Sequence, residues 1–289
     1  MGKMERAEIP ELERRLIINL YWNQKAKIMV GKENSREFRI ERGVRQGCII
    51  SPILFNLYSE YMIQEALGKL EGISVNGVNI NNIRYADDAV LIADSLKKLQ
   101  KMIDSVNEAC KAYAMAINVK KTKVMVISQK GNAQCKVLLN QVELEQVKRY
   151  KYLGSWISED LKCGEELISR IEMAKAASWK NEELLRKNFS TQTKLMIINC
   201  YIFSVLNYGA ECWTWNREMK KRVDAFEMWY YRRMLKISWK EKVSNIEVLK
   251  RVDTKLHFGI DMWKRKLSFT RHVLRGSGTW RQPPTGVGR

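Results

Sequence analysis

The spacing of hydrophobic and polar residues changes near residue 160. Before that point, short apolar runs broken by turn residues alternate with stretches of helical periodicity, which predicts an α+β domain over residues 1–160. From about Glu165 onward the helical spacing is nearly continuous. We therefore expect an all-helical region over residues 161–275, followed by a disordered Gly- and Pro-containing tail over residues 276–289.

Three helices are predicted in the first half of the chain. The first begins at Pro10 and extends toward Val30, where it overlaps a predicted strand pair over residues 25–30 and 36–40. The second begins at Ser51-Pro52, because serine suits the N-cap and proline suits the first helical position. The third is amphipathic and covers Leu99–Tyr113.

Turn residues between short apolar runs predict hairpins. Asn76-Gly77 is a favoured two-residue hairpin turn, Asn81-Asn82 turns the chain again, and Asp87-Asp88 makes a third tight turn between apolar strands. The predicted strands in this part of the chain are Ile73–Val75, Val78–Ile80, Ile83–Ala86, Ala89–Ala93 and Lys123–Ser128. In the second half, the predicted helices are Glu165–Asn188, Gln192–Leu206, Arg217–Leu235, Asn245–Val252 and Lys255–Leu274.

The net charge of the chain indicates a class of binding partner. The net charge is +19, and residues 217–289 hold 19 Lys and Arg against 7 Asp and Glu. Such an excess is typical of proteins with a polyanionic partner, since each cation placed on a phosphate releases counterions. A well-solvated basic surface is the alternative.

Cysteine spacing and apolar runs give no sign of secretion or of a membrane span. No two of the six cysteines have the separation of a zinc ribbon or a redox motif. The charged N-terminal stretch does not resemble a signal peptide, and no apolar run is long enough to cross a bilayer. We expect an intracellular protein with reduced, buried thiols.

The adjacent carboxylates of Asp87 and Asp88 are the first candidates for chemistry. Like charges this close repel unless a cation lies beside them, and magnesium prefers carboxylate and phosphate oxygens. A pair of Mg²⁺ ions would support two-metal phosphoryl transfer. Aspartate is also a common turn residue, so the pair taken alone permits a purely structural role.

Further motifs make the pattern specific. They are Arg42-Gly43-Val44-Arg45-Gln46-Gly47 with Ser51-Pro52, Tyr85-Ala86-Asp87-Asp88, Asn118 with Lys121-Thr122-Lys123, Tyr152-Leu153-Gly154, Tyr208–Trp213 and Tyr231–Leu235. In this order they resemble motif B, the catalytic box, motif D, motif E and two later segments of the reverse transcriptases of LINE-type (non-LTR) retrotransposons. The resemblance covers roughly residues 10–275.

The resemblance implies a polymerase palm with an antiparallel sheet, followed by a helical thumb-like domain. It implies RNA template, DNA primer and deoxynucleotides as partners, Mg²⁺ as cofactor, and a nuclear site of action. Asp87 and Asp88 would be catalytic and bind the metal. The residues that would contact nucleotide or template are Arg45, Gln46, Gly47, Tyr85, Lys121 and Lys123. The primer grip would comprise Tyr152, Leu153 and Gly154.

Three departures from the family pattern change the functional expectation. No aspartate precedes Asp87, so the motif A aspartate that completes the metal site is missing. Ala114 and Arg271 stand where the family usually has glycine. We expect an N-terminally truncated palm that does not polymerise by itself, since phosphoryl transfer depends on charge neutralisation. The alternative is a non-catalytic basic remnant that binds nucleic acid.

Overall fold

The structure is a computed structural model that describes residues 5, 8–128 and 133–275. The chain divides into two compact units. Residues 1–122 and 136–144 form the first unit, and residues 123–135 and 145–289 form the second unit. The predicted division near residue 160 stays a prediction, and the predicted disordered tail lies outside the described residues.

Helices and short strands alternate through the first unit, and helices dominate the second. The α-helices are α1 (Glu11–Tyr21), α2 (Ser51–Leu67), α3 (Leu96–Ala112), α4 (Gly164–Lys180), α5 (Glu182–Arg186), α6 (Thr191–Ile198), α7 (Ser204–Leu206), α8 (Arg217–Met234), α9 (Asn245–Val252) and α10 (Phe258–Arg275). A π-helix covers Asn199–Phe203, and 3₁₀ turns cover Ala210–Cys212 and Trp239–Glu241.

The strands are short and form two-stranded pairs. They are β1 (Lys25–Ala26), β2 (Met29–Val30), β3 (Glu33–Asn34), β4 (Phe38–Arg39), β5 (Ile73–Val75), β6 (Val78–Ile80), β7 (Asn82–Tyr85), β8 (Asp88–Leu91), β9 (Lys123–Val124), β10 (Leu138–Leu139), β11 (Val142–Glu143), β12 (Glu145–Gln146), β13 (Arg149–Tyr152) and β14 (Ser155–Ser158). The antiparallel pairs are β1–β4, β2–β3, β5–β6, β7–β8, β10–β11 and β13–β14, and β9 pairs with β12 in parallel. The predicted mixture of helices and antiparallel strands is confirmed.

The core of the first unit lies between α2 and α3. Helix α3 buries Met102, Val106 and Cys110 at four-residue spacing, which places them on one helical face. They pack against Met62 and Ala66 of α2 in the same cluster. The periodicity of the third predicted helix is therefore confirmed, and this packing fixes the frame from which the β7–β8 hairpin projects.

Four local predictions are wrong. Helix α1 ends at Tyr21 rather than near Val30, because Trp22 is extended and Asn23 has a φ of +57°. Ser51 is the first residue of α2 and not its N-cap, which is Ile50. Strand β9 covers Lys123–Val124 alone and does not reach Ser128.

The fourth correction concerns the second hairpin. Its turn is Ala86-Asp87, since Tyr85 pairs with Asp88 and Asp88 is the first residue of β8. The Asn76-Gly77 turn is confirmed, with φ of +50° and +79° at its two residues. Both positive angles are typical of the type I′ turn that matches strand twist.

The core of the second unit is built by the helices. Helices α8 and α10 contribute Tyr230, Tyr231 and Phe258, all completely buried, and Ile202 and Leu206 complete the same cluster. Burial raises the pKa of Tyr230 to about 12. Most of the predicted helical segments contribute buried residues to this core.

Two expectations from composition have separate outcomes. None of the six cysteines, all of which lie in the described part, forms a disulfide, but Cys110 alone is buried, while Cys200 and Cys212 are exposed. The expectation of buried thiols is therefore wrong for most of them. Among the described residues, no helix has the length and apolar character needed to cross a membrane.

Candidate functional site

The tip of the β7–β8 hairpin presents two carboxylates to solvent. Ala86 and Asp87 form the turn, and Asp88 begins β8 directly opposite Tyr85. Because opposed residues in an antiparallel pair point to the same face, Tyr85 and Asp88 share one face of the hairpin. Asp87, Asp88 and Tyr85 are all exposed, with 67% of Tyr85 accessible.

The base of this hairpin is fixed to the α2–α3 frame. Leu91 packs against the buried cluster. Arg84 Nη2 donates to Glu60 Oε2 on α2 at 2.7 Å. Asn81 Nδ2 donates to the carbonyls of Leu67 and Leu70 at 2.9 and 2.8 Å. The carboxylates therefore project from an anchored element and not from a loose loop.

The donor set at this tip suits a hard cation only in part. Mg²⁺ is commonly held by one or two carboxylates together with water and substrate phosphates, and Asp87 and Asp88 supply two. No group of three His, Cys, Asp or Glu side chains that could hold a metal occurs within the described ranges. The three-carboxylate arrangement that the resemblance implies is therefore not formed by these residues.

The predicted template-binding segment precedes α2. Gly47 has a φ of +85°, and a Cβ at that position would meet nothing within 4 Å. Glycine is needed there for its backbone angle, and the space beside it is open. Arg45 Nη2 donates to the carbonyl of Leu20 at 3.1 Å, so its side chain is tied to the end of α1.

A small hydroxyl network that sequence reasoning missed supports this segment. Ser51 Oγ donates to the Arg45 carbonyl at 2.6 Å and lies 2.9 Å from the hydroxyl of Tyr21. That hydroxyl also donates to Cys48 Sγ at 3.2 Å. This hydrogen bond is the main reason that the pKa of the Cys48 thiol is lowered and that of Tyr21 is raised. No sequence motif links Tyr21 to Ser51, which is why only the fold reveals it.

The two lysines predicted to contact nucleotide or template have different surroundings. Lys121 lies in the first unit in a turn closed by Asn118, whose Oδ1 accepts from the Lys121 backbone N–H at 3.1 Å, and its side chain is exposed. Lys123 lies in the second unit, and its Nζ forms an ion pair with Glu145 on β12. The lysine side chain available to an anion is therefore Lys121.

The predicted primer-grip residues form the end of the β13–β14 hairpin in the second unit. Tyr152 is the last residue of β13, and Leu153-Gly154 is the turn, with φ of +48° and +82°. The Leu153 side chain is 40% exposed. The three predicted residues are therefore contiguous at one hairpin tip.

Three residues that support this turn were not predicted as site residues. The hydroxyl of Tyr208 donates to the Leu153 carbonyl at 2.7 Å, and Arg170 Nη2 donates to the Gly154 carbonyl at 2.6 Å. Glu166 Oε1 accepts from Arg170 Nε at 2.7 Å. The segment Tyr208–Trp213 carries a family resemblance, whereas Arg170 and Glu166 look in sequence like an ordinary surface pair four residues apart.

Many charged side chains of the basic helices, α8 to α10 over residues 217–275, form ion pairs. Lys220 pairs with Asp224, and Arg251 pairs with Glu247, each four residues apart on one helix. Arg265 donates to Glu211 Oε1 at 2.9 and 2.6 Å and lines a shallow cavity of about 380 Å³. The surface is thus basic but interleaved with acids.

The chain is similar to reverse transcriptases and to transposon-derived proteins. A family model described as reverse transcriptase (RNA-dependent DNA polymerase) matches residues 2–157. A transposon-derived protein of Caenorhabditis elegans is 28% identical over 215 residues, 71% of this chain and 76% of that protein. A retrovirus-related Pol polyprotein from the type-1 retrotransposable element R2 of Nasonia vitripennis is 28% identical over 170 residues, 53% of this chain and 16% of the polyprotein. The RNA-directed DNA polymerase from mobile element jockey of Drosophila funebris is 23% identical over 176 residues, 60% of this chain and 19% of that polymerase.

Proposed function

The chain belongs to the reverse transcriptase (RNA-dependent DNA polymerase) family, in its LINE-type branch, and from this premise we propose that it forms part of a retrotransposon's RNA-directed DNA polymerase. It spans under a fifth of the two polymerase relatives described above. The proposed role is therefore that of a palm and thumb segment acting on RNA template, DNA primer and deoxynucleotides, with the nucleus as its proposed site.

The β7–β8 tip is the observation that carries this proposal. Exposed charges contribute little to the stability of a fold. The stability of the hairpin therefore does not account for two adjacent aspartates at this tip. Two carboxylates held at a fixed tip suit the binding of Mg²⁺ beside a nucleoside triphosphate. When bound, such ions neutralise charge on the phosphoryl group that is transferred.

Roles for the other predicted residues complete the proposal. Arg45, Gln46 and Gly47 would border the template and incoming nucleotide, with the open space at Gly47 admitting them. Tyr85 would lie beside the nucleotide, because it shares the face of Asp88. Lys121 would face the leaving pyrophosphate, and Leu153 with its neighbours would hold the primer. The same role for Lys123 stays a prediction and requires that its Nζ leave the ion pair with Glu145. Since the described residues form no three-carboxylate cluster, no complete two-metal step is assigned to them.

Metal binding at the tip provides the first test. We expect Mn²⁺, used as a paramagnetic stand-in for Mg²⁺, to bind the wild-type chain together with a deoxynucleotide and to bind Asp87→Asn at least tenfold more weakly. Glu108→Gln is the matched control, because Glu108 is an exposed acid on α3 and its loss changes the charge equally. Equal Mn²⁺ affinity in all three proteins would contradict the assignment.

Primer extension on an RNA template with Mg²⁺ tests the chemistry. The expectation that the chain does not extend a primer by itself stays a prediction. Extension that disappears in Asp87→Ala and persists in Glu108→Ala would show that another carboxylate completes the metal site.

The second candidate function is binding of nucleic acid without chemistry. It is favoured by the 19 Lys and Arg against 7 Asp and Glu over residues 217–289. Under this alternative, binding weakens with salt but is unchanged by Asp87→Asn and shows no preference for a primer terminus. A higher affinity for a recessed primer end than for a blunt duplex is expected only under the first function. Comparing these two affinities therefore separates the two functions.

A further inference from the structure

The turn of the β13–β14 hairpin holds a residue that its backbone disfavours. Leu153 and Gly154 have φ of +48° and +82°, nearly the angles of Asn76 and Gly77 in the β5–β6 turn. Asparagine tolerates this left-handed region, whereas leucine adopts it only with Cβ strain. A strained residue that persists at an exposed tip is typical of a functional position.

Both carbonyls of this turn are held by side chains from elsewhere in the second unit. The Tyr208 hydroxyl donates to the Leu153 carbonyl at 2.7 Å, and Arg170 Nη2 donates to the Gly154 carbonyl at 2.6 Å. The Arg170 guanidinium also lies 4.4 Å from the centre of the Tyr208 ring. Two donors on adjacent carbonyls fix the orientation of the peptide planes between them.

Arg170 is itself held in place by a buried carboxylate. Its Nε donates to Glu166 Oε1 at 2.7 Å, and Glu166 Oε2 accepts from the Trp156 backbone N–H at 2.8 Å. Arg170 and Glu166 are 6% and 2% exposed. A buried ion pair is weak evidence for stability, because desolvation offsets its attraction, so its specific contribution here is to position the hairpin.

Close packing fixes the other side of the contact. Gly209 follows Tyr208 with a φ of +73°, and a Cβ there would lie 2.9 Å from Ser155 Oγ. A side chain at Gly209 would strain the backbone at this φ and would require Ser155 Oγ to move, so glycine suits the close approach beside Tyr208.

The hairpin also presents cations on one strand. Lys151 and Arg149 are exposed and alternate with Tyr150 along β13, so they share a face. Trp156 lies opposite Lys151, and the Arg149 guanidinium is 4.9 Å from the Trp156 ring centre. Cations beside an aromatic ring suit the phosphates and bases of a nucleic-acid strand.

We propose that Tyr208 and Arg170 are positioning residues that hold the Leu153-Gly154 turn in the conformation that receives a primer end, with Glu166 orienting Arg170. The inference rests on the proposed function, because it takes the β13–β14 hairpin as the primer contact. It adds the residues of α4 and of the turn after α7 that set the geometry of that contact.

Tyr208→Phe is the decisive variant, since it removes the hydroxyl and keeps the ring under Arg170. The full chain is titrated against a fluorescent primer–template with a recessed 3′ end and against a blunt duplex of equal charge. We expect Tyr208→Phe to lower the ratio of the two affinities about fivefold, the effect of one lost hydrogen bond. Tyr201→Phe is the control, because Tyr201 is an exposed tyrosine of the same unit.

Amide hydrogen exchange supplies a readout that does not depend on nucleic acid. Exchange at the Trp156 amide, which Glu166 holds, is expected to rise severalfold in Tyr208→Phe and to stay unchanged in Tyr201→Phe. Unchanged exchange in Tyr208→Phe overturns the inference. An unchanged affinity ratio also overturns it but leaves the proposed function intact.

The remaining outcome concerns the wild-type chain. If it binds the recessed and blunt molecules equally, the primer contact itself is absent. The primer contact in the proposed function is then rejected, and so is the positioning role of Tyr208 and Arg170, whatever the exchange rates are.

Discussion

Ala114 has a φ of +52° just after the end of α3. Its backbone N–H donates to the Lys111 carbonyl at 3.1 Å, and the next N–H, of Met115, donates to the Cys110 carbonyl at 2.7 Å. This is the Schellman pattern of a helix C-terminus, in which glycine is the usual residue at the left-handed position. Alanine occupies that position at the cost of Cβ strain.

Replacing Ala114 by glycine is expected to stabilise the first unit. Relief of the left-handed strain outweighs the entropy of glycine, and we expect the free energy of unfolding to rise by about 0.5–1 kcal/mol. Ala112→Gly is the matched control: it is also exposed but helical, and should lower the same quantity by about 0.5–1 kcal/mol. Urea unfolding measures both, and changes of equal sign would contradict the assignment.

Glu227 is a second residue whose surroundings determine a measurable property. It is completely buried and accepts the backbone N–H groups of His257 and Phe258 at 2.9 and 3.0 Å, at the beginning of α10. The Tyr231 hydroxyl donates to it at 2.8 Å, and burial raises the pKa of that hydroxyl. The carboxylate therefore satisfies donors that would otherwise be left unpaired at a helix N-terminus.

This carboxylate makes stability depend on pH through His257. Chiefly because of its hydrogen bond with Glu227, the pKa of His257 is raised above its ordinary value of 6.5. The folded chain therefore binds the proton more tightly than the unfolded chain. The stabilising contribution is complete below pH 6.5 and is lost as the pH rises through the raised folded-state pKa.

We expect the urea midpoint of the wild type to fall between pH 6 and pH 9 by more than that of His257→Asn. His272→Asn is the control, because it removes the other of the two histidines in the chain. A wild type and a His257→Asn variant with parallel pH dependence would rule out this linkage.

At the scale of elements, two hairpins of the chain share a turn geometry but not a turn sequence. The β5–β6 turn has the favoured Asn76-Gly77 pair, whereas the β13–β14 turn has Leu153 in the position of the asparagine. The Leu153 side chain is 40% exposed, so it gains little from burial. Hairpin stability therefore does not explain a leucine here, whereas the proposed primer contact would give this side chain a role.

Leu153→Asn is therefore expected to separate stability from binding. The free energy of unfolding should rise by roughly 0.5 kcal/mol, and the affinity for a recessed primer end should fall severalfold. The reverse exchange, Asn76→Leu, should lower the free energy of unfolding and leave primer binding unchanged. A Leu153→Asn variant that is both more stable and equally tight in binding would remove the functional role of this leucine.

Sequence patterns predicted the elements better than their ends. Periodicity predicted α3 with its buried Met102 and Cys110, and Asn76-Gly77 predicted a turn, because these signals are local. The end of α1 at Tyr21 and the turn at Ala86 were missed. Both depend on a positive φ. Asparagine at position 23 is compatible with that angle but does not require it, and alanine at position 86 gives no sign of it.

The candidate site was predicted where a motif carries it and missed where the fold creates it. The tip aspartates and Leu153-Gly154 follow from contiguous motifs. Tyr208 reaches Leu153 across 55 positions of the chain, and Arg170 lies 16 positions from Gly154. Contacts of this length depend on how the helices pack against the hairpin, and a single sequence does not encode that arrangement in any local pattern.

At the scale of the whole molecule, each compact unit has its own core and its own candidate site. The first unit carries the aspartate tip on the α2–α3 frame, and the second carries both the β13–β14 turn, held by Arg170 of α4, and the basic helices over residues 217–275. Carboxylates at one tip would repel a phosphate backbone in the absence of a cation, whereas the basic helices attract it. Binding and chemistry are thus assigned to different residues, and salt and metal should affect them separately.

If the chain binds nucleic acid as proposed, we expect its net charge of +19 to make that binding depend steeply on ionic strength. If six or more phosphates are contacted, the affinity for a primer–template should fall about a thousandfold between roughly 50 and 200 mM salt. Asp87→Asn should leave this slope unchanged, because the tip acts through a metal and not through counterion release. Lys151→Gln should reduce its magnitude by about one, since one phosphate contact is lost. Fluorescence anisotropy across the salt series measures all three, and a wild-type slope near zero would exclude a phosphate-tracking surface. A slope that Asp87→Asn alters as much as Lys151→Gln would instead mean that the tip contacts the nucleic-acid backbone directly.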